Sequence, residues 1–439
     1  MTARGLVIAA PASGSGKTTI TLGLLRHLAR SGIRVASAKA GPDYIDPAFH
    51  AAASGRPCLN LDSWAMRRDT LSALLGELAQ DAEIVVCEGV MGLFDGAGPD
   101  AVGSTADLAA LVGWPVVLVI DIQRQGASAA AVLRGFASHR PGLHIAGAIL
   151  NRASGAGHAA LAASAIARAT PEIAVLGWLE RGAGLSVPER HLGLVQAGEH
   201  ASLAGFLDAA ADAVAARIDV DALRSLARPA AMQATAGGGV PIPPLGQHVA
   251  VARDQAFSFA YPALLAGWRR AGAQVSTFAP LEDQAPAPDC DAVYLPGGYP
   301  ELHGGRLAAA ARFKSGLRQA ASRGAVIYGE CGGYMTLGRG LVDEAGARHA
   351  MAGLLPLESS FAARKLHLGY RRALLATPSP LGAKGTALRG HEFHYASVLD
   401  EGPGATLFDA SDAAGKALGG FGRANGRVMG SFLHLIDRE

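Results

Sequence analysis

Short apolar runs alternate with Ala- and Leu-rich stretches along most of this chain, and one stretch breaks the alternation. Up to about residue 218 the apolar runs are Gly5–Ala10, Arg34–Ala38, Ile84–Cys87, Val116–Ile120, Ile145–Leu150 and Ala174–Gly177. Strands spaced by helical stretches predict a doubly wound parallel sheet with helices on both faces. Residues 228–247 hold a run of three glycines and four prolines, which cannot sustain a helix or a central strand. This reads as a linker between a domain at 1–227 and a second at 248–439. The second run predicts strands His248–Ala252, Gln274–Phe278, Ala292–Leu295 and Ala325–Tyr328, with helices Phe259–Ala271 and Leu307–Ser322. The last hundred residues read as mixed or antiparallel strands between Gly/Pro turns. No internal repeat marks a solenoid.

Composition agrees with this reading. A length of 439 residues suits two or three domains at roughly 150 residues each. Half the residues are hydrophobic and 17% are charged, which excludes a disordered chain and suits strands buried on both faces. The 57 glycines fall in clusters with no collagen-like period. The net charge of +2 comes with no basic arm or stripe, so nucleic acid is not an expected partner. No apolar run approaches the roughly 18–20 residues of a membrane helix. Met1–Ala10 is too short in its apolar part for a signal peptide and reads as a first strand. Cys58, Cys87, Cys290 and Cys331 are scattered, which argues against a disulfide framework or zinc site and for a cytosolic chain.

Residues 11–19, Pro-Ala-Ser-Gly-Ser-Gly-Lys-Thr-Thr, follow the first strand and open a helical run from Thr18 through Ala29. Gly16-Lys17-Thr18 match the end of a Walker A loop, while Pro11 stands where its first Gly would be. Ser13, Gly14, Ser15, Gly16, Lys17, Thr18 and Thr19 are therefore candidate ATP-binding residues. Backbone amides and the helix N-terminus would face phosphate, Lys17 would bridge the outer phosphates, and Thr18 would hold Mg²⁺. Asp43, in Gly41–Pro47, follows the second strand; Glu88 and Asp95 follow the third. In doubly wound sheets, ligands sit beyond the carboxyl ends of strands, so these acids would share the crevice of Lys17. Thr18, Asp43 and Glu88 are the candidate metal ligands. Asp121 has two readings, a Walker B acid or a cap. Asn151 ends the fifth strand, where P-loop proteins of the dethiobiotin-synthetase type place a base-reading Asn; a plain turn Asn is the alternative.

A second chemistry sits in Gly329-Glu330-Cys331-Gly332-Gly333, a nucleophile elbow with Cys for Ser. Cys331 would meet a helix N-terminus, which predicts a lowered pKa and a thiolate. Its base is one of His434, His391 or His394. Backbone amides near Gly298, in Leu295–Leu302, would supply an oxyanion hole.

Together these motifs resemble the cobyrinic/hydrogenobyrinic acid a,c-diamide synthase family, the glutamine-dependent amidoligases of cobalamin biosynthesis. The resemblance covers nearly the whole chain. It rests on the phosphate loop, Gly41–Pro47, Asn60–Trp64, Glu88–Gly96, Pro188–Leu194, Leu295–Leu302, Gly329–Met335 and Gly390–Tyr395. It implies an N-terminal P-loop domain like dethiobiotin synthetase and a C-terminal class I glutamine amidotransferase domain. Cys331 would attack the amide of L-glutamine, His434 would carry the proton, and amides near Gly298 and Gly332 would hold the oxyanion. The first domain would use ATP and Mg²⁺ to phosphorylate a carboxylate of a corrin-ring polycarboxylic acid, and ammonia would displace phosphate. Tyr44, Ile45 and Asp95 match substrate positions. Many such glutaminases carry an acid two residues after the catalytic His; Ile436 stands there, and the family commonly does without it. Arg190, Arg364, Lys365 and Arg371 read either as carboxylate binders or as surface charge. A homodimer is compatible with the reading, and the cobalt-free ring acid is favoured over the cobalt form. Two alternatives stand beside it: the same chemistry on a metal-sirohydrochlorin, or a partition-type ATPase switch with a non-catalytic second domain.

Overall fold

The computed structural model describes residues 4–182, 189–190, 193–194, 202–232 and 240–439. The side chain of Arg190, most of the Pro188–Leu194 motif and residues 233–239 of the expected linker lie outside the described residues. The chain forms two compact units. Met1–Trp64, Leu71–Gly96 and Asp100–Gly238 make the first; Ala65–Thr70, Ala97–Pro99 and Gly239–Glu439 make the second.

The first unit is built on strands β1 (Arg4–Ala9), β2 (Val35–Ala40), β3 (Leu59–Leu61), β4 (Ile84–Glu88), β5 (Val116–Asp121), β6 (Ile145–Ala153) and β7 (Ala174–Glu180). Their order is β3-β2-β4-β1-β5-β6-β7 and every neighbouring pair is parallel. Buried apolar side chains run without a break through Leu6–Ala9 and Val116–Ile120, as a sheet covered on both faces requires. Helix α1 (Lys17–Arg30) buries Ile20, Leu22, Leu24, Leu25 and Leu28 in that core. Arg228–Pro229, inside the expected linker, pairs antiparallel with the start of β1.

The strands extend past their apolar runs. β2 continues through Lys39, β4 through Glu88 and β6 through Asn151. The ladder explains this: Lys39 pairs directly with Glu88, and Asp121 with Asn151. The ladder thus runs on through polar residues, which find partners across the strand ends or in the adjoining loops, and hydropathy marks the strand as finished too early. Helix α2 (Asp46–Ser54) and β3 carry no comparable apolar signal.

The second unit contains β8 (His248–Ala252), β9 (Gln274–Phe278), β10 (Ala292–Leu295), β11 (Val326–Glu330), β12 (His367–Leu375), β13 (Ala387–His394), β14 (Ala405–Asp412), β15 (Ala417–Asn425), β16 (Val428–Ser431) and β17 (Leu433–Arg438). The order is β9-β8-β10-β11-β16-β15-β14-β12-β13-β17. The first five strands are parallel and the rest antiparallel. β16 and β17 are separated in the chain by Phe432 alone, yet β17 stands at the far end of the strand order. The sheet therefore curls back, and the residues after β16 return to the end of β11. The helix expected at Leu307–Ser322 is two helices, Gly304–Ala309 and Ala311–Ser322, which meet at Ala310. Lys314 Nζ donates to the Ala308 carbonyl at 2.5 Å, capping the end of the first helix from the side. Among the described residues, no helix is long and apolar enough to cross a membrane.

Candidate active sites

In the first unit the ends of β1, β2, β4 and β6 converge. The phosphate loop turns at Gly14 and Gly16, with φ of +76° and +93°, values that favour glycine. A side chain at Gly16 would also strike the amide of Asn151, which would lie 2.0 Å from its Cβ. Asn151 Nδ2 donates to the Ser15 carbonyl at 2.8 Å, so Asn151 fastens the loop. Ser15 Oγ donates to the Ala12 carbonyl at 2.9 Å, and Ser13 and Gly14 are exposed. Lys17 Nζ donates to the Met91 carbonyl at 2.6 Å; burial lowers its pKa from the ordinary lysine value. Thr18 and Thr19, on the first turn of α1, are half-buried.

Glu88, wholly buried, is the centre of the arrangement. Its Oε1 accepts from Thr18 Oγ1 at 2.7 Å and from Lys39 Nζ at 3.0 Å, and its Oε2 lies 2.6 Å from His50 Nε2. Lys39 also reaches Asp46 Oδ2 at 2.5 Å and the Gly89 carbonyl at 3.3 Å. Behind His50, the Cys58 thiol lies 3.4 Å from Nδ1. Burial opposes each of these charges; the partners outweigh it for Lys39, His50 and Glu88, whereas burial and neighbouring Asp43 push the Asp46 carboxyl up to about 7. Glu88 and Asp46 hold Lys39 above its ordinary pKa, and Lys39 and His50 hold Glu88 below the usual carboxylate range. Cys58 and Glu88 raise His50 to about 10.

The other expected acids are placed as follows. Asp43 Oδ1 accepts the backbone N–H of Ile45 at 2.7 Å and of Asp46 at 3.2 Å, which caps the entry to α2. Its Oδ2 faces Lys39 at 3.8 Å. Tyr44 and Ile45 follow in the same turn, with Ile45 packed on the core. Asp95 is exposed and accepts the Gly92 N–H at 2.8 Å. Asp121 accepts the Gln123 N–H at 2.9 Å and pairs with Arg152 at 2.6 Å. Lys39 and His50 were not singled out from the sequence. The signal was there for Lys39, a lone charge in an otherwise small and apolar stretch, Val35–Ala40.

In the second unit, β11 runs into Cys331, which has φ +48° and lies at the N-terminus of the helix Gly332–Leu337. The turn needs small neighbours: a Cβ on Gly333 would stand 1.9 Å from the Leu295 carbonyl. The curled sheet brings β17, and so His434, to this turn. A Cβ on Gly297 would stand 2.4 Å from His434 Cε1 and 3.4 Å from Cys331 Cβ, so the two residues flank the same glycine, while the Cys331 thiol lies 3.8 Å from the Phe393 carbonyl. His391 stacks on His434 at 4.8 Å between ring centroids, from the paired strand position. His394 stacks instead on Phe432 at 4.1 Å and lies 3.0 Å from Glu392. Gly298 and Gly332 belong to two turns in direct contact, since a Cβ on Gly332 would be 3.1 Å from the Gly298 nitrogen.

The expected low pKa of Cys331 is not observed. Burial pushes the thiol up, Glu301 adds to this, and the Gly332 N–H only partly offsets them. Six residues of helix do not outweigh complete burial. His434 is held below its ordinary value by burial and by His391. Both partners are therefore neutral at rest. Glu330, which precedes the nucleophile, accepts from Tyr294 Oη at 2.7 Å and from the Leu435 N–H at 3.1 Å. It thus joins the residue before the thiol to the residue after the imidazole, while Ile436 lies buried where other triads carry an acid.

Of the basic residues with two readings, Arg371 pairs with Glu392 at 2.7 Å and Arg364 pairs with Glu344. His367, Glu392 and His394 gather three ligand atoms within 4.8 Å of one another. However, the two rings are stacked 7° from parallel, and in-plane lone pairs of stacked rings do not converge on one ion.

A phosphate loop in one unit and a Cys and a His flanking a glycine turn in the other fit a glutamine-dependent carbon–nitrogen ligase, and the comparisons agree. Residues 6–195 match the CobQ/CobB/MinD/ParA nucleotide binding domain, and residues 248–439 match the CobB/CobQ-like glutamine amidotransferase domain. The chain is 55% identical to a hydrogenobyrinate a,c-diamide synthase of Brucella anthropi, over 99% of this chain and 98% of that protein. It is 54% identical to the enzyme of that name from Rhodobacter capsulatus and 52% to that of Rhizobium meliloti, again over 99% of this chain and at least 98% of each relative. The chain belongs to the cobyrinic/hydrogenobyrinic acid a,c-diamide synthase family.

Proposed function

We propose that the enzyme converts the a and c side-chain carboxylates of hydrogenobyrinic acid to amides, using ATP and glutamine. The observation that carries this reading is the pairing in one chain of the Thr18–Glu88 contact beside a phosphate loop with the Cys331–Gly297–His434 arrangement. A carboxylate at neutral pH is a poor electrophile. In the first unit its oxygen attacks the γ-phosphorus of ATP, ADP leaves, and an acyl phosphate results. Ammonia then attacks the acyl carbon and phosphate departs. Lys17, now on the Met91 carbonyl, transfers its hydrogen bonds to phosphate oxygens, and the loop amides bind the rest.

The Thr18 hydroxyl and Glu88 carboxylate are hard oxygen donors beside that loop, and they fit Mg²⁺. When bound, Mg²⁺ supplies charge neutralisation of the phosphates. Lys39 and His50 keep Glu88 ionised and fixed. Asp43, with one oxygen on the α2 entry and the other 3.8 Å from Lys39, is the third candidate Mg²⁺ ligand. Tyr44, Ile45 and Asp95 are assigned to substrate binding.

In the second unit the neutral thiol gives its proton to His434 as sulfur attacks the glutamine side-chain carbon. The oxyanion is received by the amides of Gly298 and Gly332, and His434 passes the proton to departing ammonia. Water then hydrolyses the thioester to glutamate. ATP and glutamine are cytoplasmic metabolites, which supports a cytoplasmic site of action.

The test is an incubation of the protein with ATP, glutamine and each ring acid, reading product mass. Two added amides on hydrogenobyrinic acid are the expected result. Two amides only on cobyrinic acid or on a metal-sirohydrochlorin would overturn the substrate assignment.

A further inference from the structure

Three acids act on the Cys331 thiol: Glu301, Glu330 and Glu392. Two of them are fully engaged. Glu330 is held by Tyr294 and Leu435, and Glu392 by Arg371 and His394. Glu301 differs. Its carboxylate leans on its own backbone N–H, while Oε2 is closed to solvent and has no hydrogen-bond partner among the described residues. A buried, unsatisfied acceptor of this kind is costly and requires an explanation. Arg364, which acts on it from a distance, is itself paired with Glu344.

Position supplies the explanation. Glu301 lies in the short turn Pro300–His303, three residues beyond Gly298. The Pro300 ring presses on the nucleophile elbow, its Cδ 2.9 Å from where a Gly332 Cβ would stand. Among these acids, Glu301 has the largest influence on the thiol. A molecule whose amide carbon is at Cys331 and which carries a cation four bonds away reaches on the order of 5 Å further, at about 1.5 Å per bond. Glutamine is such a molecule, and the cation is its α-ammonium.

We propose that Glu301 is the subsite for the α-ammonium group of glutamine, so that this one acid selects an amino acid over a simple carboxamide. The assignment rests on the glutamine-hydrolysing reading above. Burial pushes the free carboxyl up to about 7, which is the expected state of an acid awaiting its counter-charge. An ammonium ion donates to Oε2 and restores the missing hydrogen bond as a charge-assisted one.

The experiment compares L-glutamine with glutaramate, which keeps the amide and the carboxylate but lacks the α-amino group. Ammonia release is measured for the full chain and for Glu301→Gln. The wild-type kcat/KM is expected to favour glutamine at least 100-fold, and E301Q to reduce that ratio at least tenfold, mainly through the KM for glutamine. Wild-type protein that uses both amides equally would overturn the proposal. So would E301Q with an unchanged ratio, because the ammonium is then read elsewhere. If E301Q melts well below the wild type, Glu301→Asp gives the same reading: a ratio between those of wild type and E301Q supports the subsite, and an unchanged ratio sinks it. Wild-type protein that releases no ammonia from glutamine would instead refute the glutaminase reading, and so is told apart from a failure at Glu301.

Discussion

The two sites share an architecture and oppose each other in charge. Each lies where parallel strands end and a glycine turn begins. In the first unit Lys39, His50 and Glu88 are buried as a network of ions, with Asp46 hydrogen-bonded at its edge. In the second, Cys331 and His434 flank Gly297 uncharged, the thiol pushed up and the imidazole pushed down by the same burial. The difference fits the two reactions proposed for the units. Phosphoryl transfer needs charge in place beforehand, because stabilisation by fixed groups costs no rearrangement during the reaction. Attack on a neutral amide needs a nucleophile that ionises only when an oxyanion forms beside it. A neutral pair that exchanges one proton meets that need with no standing charge to bury.

The sharpest way to break this comparison is to remove one site at a time. Lys17→Ala is expected to lower amidation by at least about 10²–10³-fold from glutamine and from free ammonia alike, as loss of a phosphate-stabilising group does. Cys331→Ser is expected to lower glutamine-driven amidation by at least about 10³-fold while ammonia still supports product formation. Both are read as diamide yield by mass, and ammonia that fails to rescue C331S would mean that the half-reactions are not separable.

A finer probe concerns the Glu330 tether between the flanks of Cys331 and His434. Glu330→Leu leaves the Leu435 N–H without an acceptor and frees the imidazole strand. The kcat for glutamine hydrolysis is expected to fall about 10–100-fold with KM little changed, the usual consequence of misplacement by about 1 Å. Glu330→Gln, which still accepts from Leu435, recovers most of the rate. Equal losses in the two variants would show that the charge of Glu330 matters and the tether does not.

The smallest effect expected is on stability. His50 has a folded-state pKa of about 10, against an ordinary value of 6.5. A raised pKa contributes stability that is complete below the unfolded value and lost as pH rises through the folded one. Melting of the first unit should therefore weaken between about pH 6.5 and 10. His50→Gln should flatten that slope, and a slope unchanged in the variant would place the titration elsewhere.

Much of this was legible in the sequence, for physical reasons. The strand cores are continuous apolar runs, and the glycine turns at 14–16, 297–298 and 329–333 are spelled out because no other residue fits them. Strand ends were not legible: Lys39, Glu88 and Asn151 look like loop residues until their cross-strand partners are known. The break at Ala310 has no local signal, since Ala310 is itself a good helix former and its extended ψ appears only in the folded chain. Nor does composition reveal that Cys331 resists ionisation. A nearby helix end is visible in the sequence, but the completeness of burial is a property of the packed unit.

That resistance extends to oxidative chemistry. Peroxide attacks a thiolate and not a thiol, so the resting nucleophile is a poor substrate for conversion to sulfenic acid. In the mechanism proposed above the Cys331 thiolate forms only with glutamine in place, so the idle protein is expected to react slowly with peroxide and faster once glutamine is bound.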